Sequence, residues 1–328
     1  MKRKQNLYVI AALIGLMMLI FDSSTAIKGA STGIELCIRT VIPSLFPFFV
    51  ISMFLTSILT EQEFTLLQWL SNVMKMPQRA AQVLIPAFLG GYPVGAKCVG
   101  DLYRSCQIDK RNAERLLAFC SNAGPSFLFG MVSASFSDVK TICLLWCIHI
   151  IGAVLTAFAF PVYAEERDHA ASIRSEYEHP DIMVSALKAM AIVCGWVILF
   201  RTMITFLQSW LLWALPKWLQ VLFIGALELS NGCCELIMVP DVQSRFILCS
   251  CMLAFGGICV LMQTISVVRG LSIRSYVMGK LLQTVFCFIL SCSVTTGKGW
   301  IIIGLIPPIL ILFRINKKRS GNLNVYPV

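Results

Sequence analysis

The sequence predicts an all-α polytopic membrane protein with about eight membrane spans and two re-entrant helical hairpins in an inverted repeat. Of its 328 residues, 57% are hydrophobic and 13% are charged, whereas soluble domains carry about 25% charged residues. Many apolar runs are long enough to cross a bilayer as helices. Two further runs are interrupted at their centres by glycine, proline or polar residues, which is the pattern expected of re-entrant hairpins.

The predicted spans are the apolar runs with few interruptions. They lie at about 7–24, 34–60, 113–136, 141–163, 186–212, 244–268, 276–295 and 299–313. The first follows the basic triplet Lys2-Arg3-Lys4, a pattern shared by cleaved signal peptides and retained signal anchors. In a chain this hydrophobic, we expect a retained signal anchor.

The two predicted hairpins lie at about 81–103 and 219–242. The first is broken by the segment GGYPVG, and the second by LELSNG. Two further breaks, Asn122-Ala123-Gly124 and Gly256-Gly257, are predicted in the apolar runs that follow the hairpins. In a membrane, such breaks are tolerated only where protein or a wet cavity satisfies the freed backbone groups. Paired breaks of this kind are the best indication from sequence of a transporter's binding site.

The distribution of basic residues predicts the orientation. Eighteen Lys and Arg residues fall in the segments predicted to be cytoplasmic, namely both termini and about 61–80, 104–115, 164–185 and 269–280, and five fall in the exterior segments. This asymmetry follows the positive-inside rule. Both termini are therefore expected on the cytoplasmic side of a bacterial cell membrane.

The order of elements divides the chain into two similar halves. A span, a hairpin and two spans occupy 34–163, and the same order recurs at 186–295, after a polar cytoplasmic loop at 164–185. The remaining parts are the signal anchor at 1–33 and a last span with a basic tail at 296–328. The first hairpin is predicted to open from the cytoplasm and the second from outside, which is an inverted repeat of the kind used for alternating access.

Several function classes are excluded or unsupported by the sequence. The net charge of +10 comes from basic residues scattered among spans, so it predicts the lipid bilayer as partner and no nucleic acid. The fourteen cysteines include no CxxC pair and mostly stand alone in apolar runs, so no metal site is predicted. No HExxH, GxSxG or Walker motif is present, and we expect no enzyme.

Two cations at predicted membrane depth are candidate contacts for an anionic substrate. Lys97 follows the first hairpin's break, and Arg201 lies near the middle of a long apolar run. Buried charges in membranes are costly and usually have a partner. The alternatives are that Lys97 extends to the headgroups and that Arg201 forms a structural ion pair with Glu228 or Glu235.

The centre of the second hairpin carries Glu228, Ser230 and Asn231. Oxygen ligands on an unwound turn suit a coupling ion, H⁺ or Na⁺. The alternative is an N-cap, in which Ser230 or Asn231 satisfies the amides of the second arm. Ser121, Asn122, Ser126 and Gln263 complete the polar set, and Tyr92 is a candidate wall of a shared cavity.

The segments FLGGYPVGAK…RLLAFCSNAGPSF and LELSNG…FGGICVLMQ resemble the YlbJ-type sporulation integral membrane proteins, which carry the nucleoside-recognition or Gate domain. The resemblance extends over about 33–311. Cys106 departs from the pattern, because it stands where a glycine is expected in the turn after the first motif.

That resemblance implies a fold related to concentrative nucleoside transporters and a sporulation role, with the outer forespore membrane as a candidate location. It implies transport of a small anionic metabolite, dipicolinic acid. The alternatives are a nucleoside transporter and a non-transport sporulation scaffold, and homo-oligomerisation stays open. The motif positions and Arg201 give the candidate substrate-binding residues: Gly91, Tyr92, Pro93, Lys97, Asn122, Gly124, Pro125, Arg201, Glu228, Asn231, Gly257 and Gln263.

Overall fold

The computed structural model describes residues 2–61, 69, 72–163 and 181–298, and it contains helices and no strand within these ranges. The all-α prediction is therefore confirmed. The predicted span at 299–313, the basic tail and almost all of the loop at 164–185 lie outside the described residues.

The described residues of the first half contain the following α-helices and two shorter helical turns. The α-helices are α1 (Lys2–Phe21), α2 (Ser23–Leu36), α3 (Ile42–Glu61), α4 (Gln78–Ala81), α5 (Leu84–Leu89), α6 (Val94–Arg104), α7 (Lys110–Leu117), α8 (Pro125–Gly130) and α9 (Val139–Ala159). A π-helical turn, Cys37–Val41, joins α2 to α3 without a break, and a 3₁₀ turn, Val132–Ser135, follows α8.

The part of the second half that the structure describes, 181–298, contains six α-helices. They are α10 (Ile182–Trp210), α11 (Lys217–Leu227), α12 (Leu229–Glu235), α13 (Val242–Phe255), α14 (Gly257–Val267) and α15 (Arg274–Thr296). Short 3₁₀ turns, Leu212–Ala214 and Leu236–Met238, precede α11 and follow α12.

Five segments in the described residues are long and apolar enough to cross a membrane. They are Ser23–Leu55, Val139–Ala159, Ile182–Trp210, Val242–Val267 and Arg274–Thr296. They overlap the predicted spans at 34–60, 141–163, 186–212, 244–268 and 276–295. The chain is thus an integral membrane protein, and the predicted first span coincides with a shorter apolar helical segment, Ala12–Phe21.

The prediction of one span at 113–136 is corrected by the structure. That segment contains the end of α7, a stretch of non-helical backbone and the six-residue helix α8. The glycine and proline of Asn122-Ala123-Gly124-Pro125 account for the difference, because the residue before a proline disfavours helical backbone. Pro125 then occupies the first turn of α8, where proline is well tolerated.

Aspartates begin most of the long helices. Asp22, Asp138, Asp181 and Asp241 cap α2, α9, α10 and α13, each accepting a hydrogen bond from a backbone N–H in the first turn. Such caps satisfy amides that have no partner within the helix. The caps fix where each helix starts.

Each half contains a pair of short helices that folds back on itself. In the first half, α5 and α6 pack together at Gly95, where an added methyl group would lie 2.9 Å from Cα of Ala87. In the second, α11 and α12 pack together at Gly232, where a methyl group would lie 2.3 Å from Cα of Gly225. We call these the first and second hairpins.

Each hairpin turn packs against a helix break of its own half. Gly91, in the first turn, contacts Gly124 in the break between α7 and α8, where a methyl group on Gly124 would lie 2.9 Å from the Gly91 nitrogen. Gly257, in the break between α13 and α14, lies against the carbonyl oxygens of Gly225 and Leu227. The breaks at Asn122–Gly124 and at Gly256–Gly257 were both predicted, and the structure has both.

Candidate functional site

A small cavity of about 30 Å³ lies between the two hairpin turns. Its polar lining comes from Tyr92 of the first hairpin, Glu228 and Ser230 of the second, and Gln263 of α14. Such a volume admits one or two water molecules, whereas pockets for small-molecule ligands measure about 300–1,000 Å³. The structure is therefore a closed conformation at this point.

A second, larger groove is not a candidate site for a polar ligand. It measures about 330 Å³ and lies between the first helix and Trp210. Its lining is apolar, so it offers no group to orient a polar ligand. A groove of this kind suits contact with lipid.

The first hairpin places Gly91, Tyr92 and Pro93 at its turn. Gly91 has φ of 77°, a backbone conformation that glycine adopts without strain. The Tyr92–Pro93 peptide bond is cis. The Tyr92 side chain extends to the other half, where its hydroxyl donates to the carbonyl oxygen of Leu253 at 2.9 Å. This turn therefore connects the two halves directly.

The second hairpin places the Glu228 carboxylate at its turn, 2% exposed. One carboxylate oxygen accepts from the Ser230 amide at 3.0 Å, and the other accepts from both the amide and the side-chain nitrogen of Asn231 at 2.6 Å. The predicted N-cap is present, but Glu228 provides it, and not Ser230 or Asn231. The reason is that Glu228 itself occupies the cap position of α12.

Arg201 lies beside the second hairpin. Its Nη1 donates to Oδ1 of Asn231 at 3.1 Å and lies 3.6 Å from a carboxylate oxygen of Glu235, which also accepts from Gln208. Of the two acids proposed as structural partners, Glu235 is the one in contact. Asn231 thus joins Arg201 to Glu228 through its two side-chain atoms.

Lys97 forms an ion pair on α6. Its Nζ lies 3.0 Å from a carboxylate oxygen of Asp101, and its side chain is 27% exposed. Arg104 pairs with the other oxygen of the same carboxylate. Lys97 is not part of the cavity lining, so the structure does not bring this predicted residue together with the others.

The sequence prediction missed a buried polar network centred on Lys280. This residue was counted in a predicted cytoplasmic segment, but it lies within α15 and is 1% exposed. Its Nζ donates to Oε1 of Gln283 at 2.7 Å and to the Tyr92 hydroxyl at 3.4 Å. It also lies 5.2 Å from the centre of the Tyr92 ring, within the range of a cation–π interaction.

The network continues into the first helix break. Gln283 Nε2 donates to Oδ1 of Asn122 at 3.1 Å and to the carbonyl oxygen of His149 at 3.2 Å. The His149 ring nitrogen Nε2 accepts from the amide of Ala123 at 3.1 Å. These contacts satisfy polar groups that the break exposes, as a broken helix in a membrane requires.

The remaining predicted residues take supporting positions. Gln263 lines the cavity and donates to Sγ of Cys259 at 3.3 Å. Gly124, Pro125 and Gly257 shape the helix breaks. The structure thus brings Gly91, Tyr92, Glu228 and Gln263 to one cavity, with Asn122, Asn231 and Arg201 directly behind its polar walls.

Comparison with known proteins supports a relationship to YlbJ. The chain is 24% identical over 306 residues to the sporulation integral membrane protein YlbJ of Bacillus subtilis (strain 168), a match that covers 79% of this chain and 75% of the relative. No family model matches the chain, and no solved structure matches it. The predicted YlbJ-like relationship is therefore supported, while assignment to the nucleoside-recognition or Gate domain family stays a prediction.

Proposed function

We propose that this chain is a secondary transporter that moves a small organic anion across a membrane by alternating access. The observation that carries the proposal is the meeting of two hairpin turns and two helix breaks around one closed cavity. Hairpins and broken helices of this kind surround the central site of many secondary transporters. The repeated element order supports an inverted repeat, with both termini in the cytoplasm.

The proposed substrate is dipicolinic acid, moved during sporulation across the outer forespore membrane. The sporulation relative supports the setting, and the family resemblance supports the substrate. A dianion requires cationic or hydrogen-bond-donating partners in a low-dielectric site. Lys280 is a buried cation in contact with a cavity-lining residue, since its Nζ donates to the Tyr92 hydroxyl at 3.4 Å.

A second candidate is a nucleoside transporter. The cavity lining presents a carboxylate, an amide and a phenol from Glu228, Gln263 and Tyr92. These groups can accept and donate hydrogen bonds to ribose and base, and an aromatic ring can stack on a base. The lining itself contains no cation among the described residues, which favours a neutral substrate.

Uptake by proteoliposomes tests both candidates. Purified protein is reconstituted, and entry of radiolabelled dipicolinate and of uridine is followed under imposed proton and sodium gradients, with protein-free liposomes as control. We expect gradient-dependent uptake of dipicolinate, and a Glu228→Gln variant tests whether that carboxylate binds the coupling ion. Uptake of uridine alone would establish the nucleoside candidate, and uptake of neither would contradict transport.

A further inference from the structure

Lys280 differs from the other buried or partly buried cations of the described residues. Lys97 pairs with Asp101, and Arg201 pairs with Glu235. Arg115 and Arg245 have no acidic partner in the described residues, but each donates to at least two backbone carbonyl oxygens, whereas both contacts of Lys280 are to side chains. Lys280 contacts only a neutral amide oxygen and a phenol, so its positive charge has no anionic partner within the described chain.

Three further hydroxyl groups, those of Ser121, Thr264 and Tyr276, are buried. Tyr276 precedes Lys280 by one turn of α15, and the segment before Ser121 packs on α15 next to Lys280, where a methyl group on Gly279 would lie 2.6 Å from Cα of Ala118. All three side chains are at most 2% exposed, and none of the three oxygens makes a hydrogen bond of normal geometry to a described residue. A buried hydroxyl without a partner is costly, so this arrangement favours a bound group with several acceptor oxygens.

Tyr92 separates Lys280 from the central cavity. Its ring lines the cavity, while its hydroxyl and ring face contact the Lys280 ammonium. Tyr92 stands at the turn of the first hairpin, which is one of the parts that alternating access moves. A displacement of this turn exposes the lysine to whatever occupies the cavity.

We propose that Lys280, with the hydroxyls of Ser121, Thr264 and Tyr276, forms a binding site for the carboxylate of a small organic anion, which Tyr92 covers in the closed conformation. The inference rests on the proposed transport of an anion and identifies the charge that receives it. A positively charged ammonium beside hydroxyl donors selects acceptor oxygens and disfavours metal cations. Lys280 would thus replace Lys97 and Arg201, which are already paired, as the main cationic contact.

Binding to detergent-solubilised full-length protein tests this site. Equilibrium dialysis measures the affinity for radiolabelled dipicolinate, for its neutral diamide and for sulfate. Lys280→Met removes the charge and keeps most of the side-chain volume, and Lys188→Met is the matched control, because Lys188 is exposed on α10. We expect Lys280→Met to weaken dipicolinate binding at least about tenfold, with Lys188→Met unchanged and the diamide bound weakly by all.

Tyr276→Phe is a second variant that tests the site even if Lys280→Met fails to fold. Removing an unsatisfied hydroxyl leaves the unliganded protein as stable as before or slightly more stable, because the lost group had no partner. The same change is expected to weaken dipicolinate binding about three- to tenfold. Retained stability with lost affinity separates a binding role from a structural one.

The outcomes distinguish this inference from the proposed function. Normal binding and uptake of dipicolinate by Lys280→Met and Tyr276→Phe would overturn the lysine site and leave transport intact. Anion binding that depends on Lys280, without uptake by proteoliposomes, would support the site and contradict transport. If wild-type protein binds neither anion, the site is overturned whatever the uptake assay shows.

Discussion

Gly225 and Gly232 hold the two arms of the second hairpin in direct backbone contact. A methyl group at Gly232 would lie 2.3 Å from Cα of Gly225 and 2.7 Å from its nitrogen. Only two glycines permit this approach, which brings Glu228 to the end of a tight helical pair. The position of the candidate site therefore depends on these two residues.

Gly232→Ala is expected to destabilise the protein. The added methyl group meets backbone that cannot give way, so the arms must separate, at a cost of about 1–3 kcal/mol. Thermal unfolding in detergent measures the effect. Gly195→Ala is the control, because that glycine has open space around it on α10 and alanine favours the helix by about 0.5–1 kcal/mol. Equal stability of the two variants would contradict the close packing.

Arg201→Met is expected to destabilise the protein by about 1–3 kcal/mol, because it leaves the carboxylate of Glu235 buried without its cation. The double change Arg201→Met with Glu235→Met should recover most of that loss. A double-mutant cycle on thermal stability measures the coupling. Dipicolinate uptake is then compared between the double variant and Glu235→Met alone. If Glu235→Met takes up dipicolinate and a stable double variant does not, Arg201 also contacts the substrate. That result would contradict a purely structural role for Arg201.

Cys106→Gly is expected to stabilise the protein. Cys106 has φ of 55° in the turn that ends α6, where the Gln107 amide donates to the carbonyl oxygen of Leu102. A left-handed backbone costs a residue with a side chain about 1–2 kcal/mol, and glycine's greater freedom when unfolded offsets part of the gain. We expect a net increase of about 0.5–1 kcal/mol in unfolding free energy.

The control for that substitution is Cys143→Gly, at an exposed position inside α9. Glycine within a helix is unfavourable, so this variant should lose roughly 0.5 kcal/mol. Unfolding is followed by circular dichroism under reducing conditions. A loss of stability in both variants would show that the glycine expected from the sequence pattern is not needed in this turn.

Because aspartates cap α9 and α13, we expect the protein to lose stability in acid. Hydrogen bonds from the Thr141 amide and hydroxyl lower the pKa of Asp138 below its ordinary value of 3.8, and those from the Ser244 hydroxyl and amide lower the pKa of Asp241. A carboxyl with a lowered folded-state pKa stabilises the fold above its ordinary pKa, and this stabilisation is lost as the pH falls through the folded-state pKa. Melting temperatures between about pH 6 and pH 3 measure the loss.

Replacing both cap aspartates with asparagine separates the acid sensitivity of the caps from that of other titrating groups. An asparagine side chain also caps helices well, but it does not titrate. The variant with Asp138→Asn and Asp241→Asn should therefore lose less stability on acidification than the wild type. Identical acid dependence in the two proteins would show that these caps contribute nothing to it.

Local sequence signals predicted the helix breaks, because glycine and proline act on their own backbone. The segments GGYPVG, SNAGP and FGG each interrupt helical structure where the sequence predicted it. At Cys106, where the family resemblance implies a glycine, the backbone has the left-handed conformation that glycine favours. The assignment of 113–136 as one membrane span was wrong, because its hydrophobicity was weighed above the break at Asn122-Ala123-Gly124-Pro125 within it.

Side-chain partners could not be predicted, because they depend on how distant segments pack. Lys280 stands near the end of an apolar run, and hydropathy alone does not distinguish a buried lysine from one in a loop. The partner of Arg201 was left between two acids, and packing decides it, since Glu228 already caps its own helix. The spacing of Tyr276, Lys280 and Gln283 on one helical face is a signal that would have indicated the network.

The most direct test of the account concerns the side of the membrane from which each hairpin is reached. Lys110→Cys and Lys217→Cys, next to the first and second hairpins, are labelled in intact cells with a membrane-impermeant maleimide. The exposed native cysteines, Cys106, Cys143, Cys147 and Cys234, are first replaced by serine. An inverted repeat predicts labelling at position 217 in intact cells, and at position 110 only after the membrane is opened. Labelling of both positions from the same side would contradict the inverted repeat and, with it, this basis for alternating access.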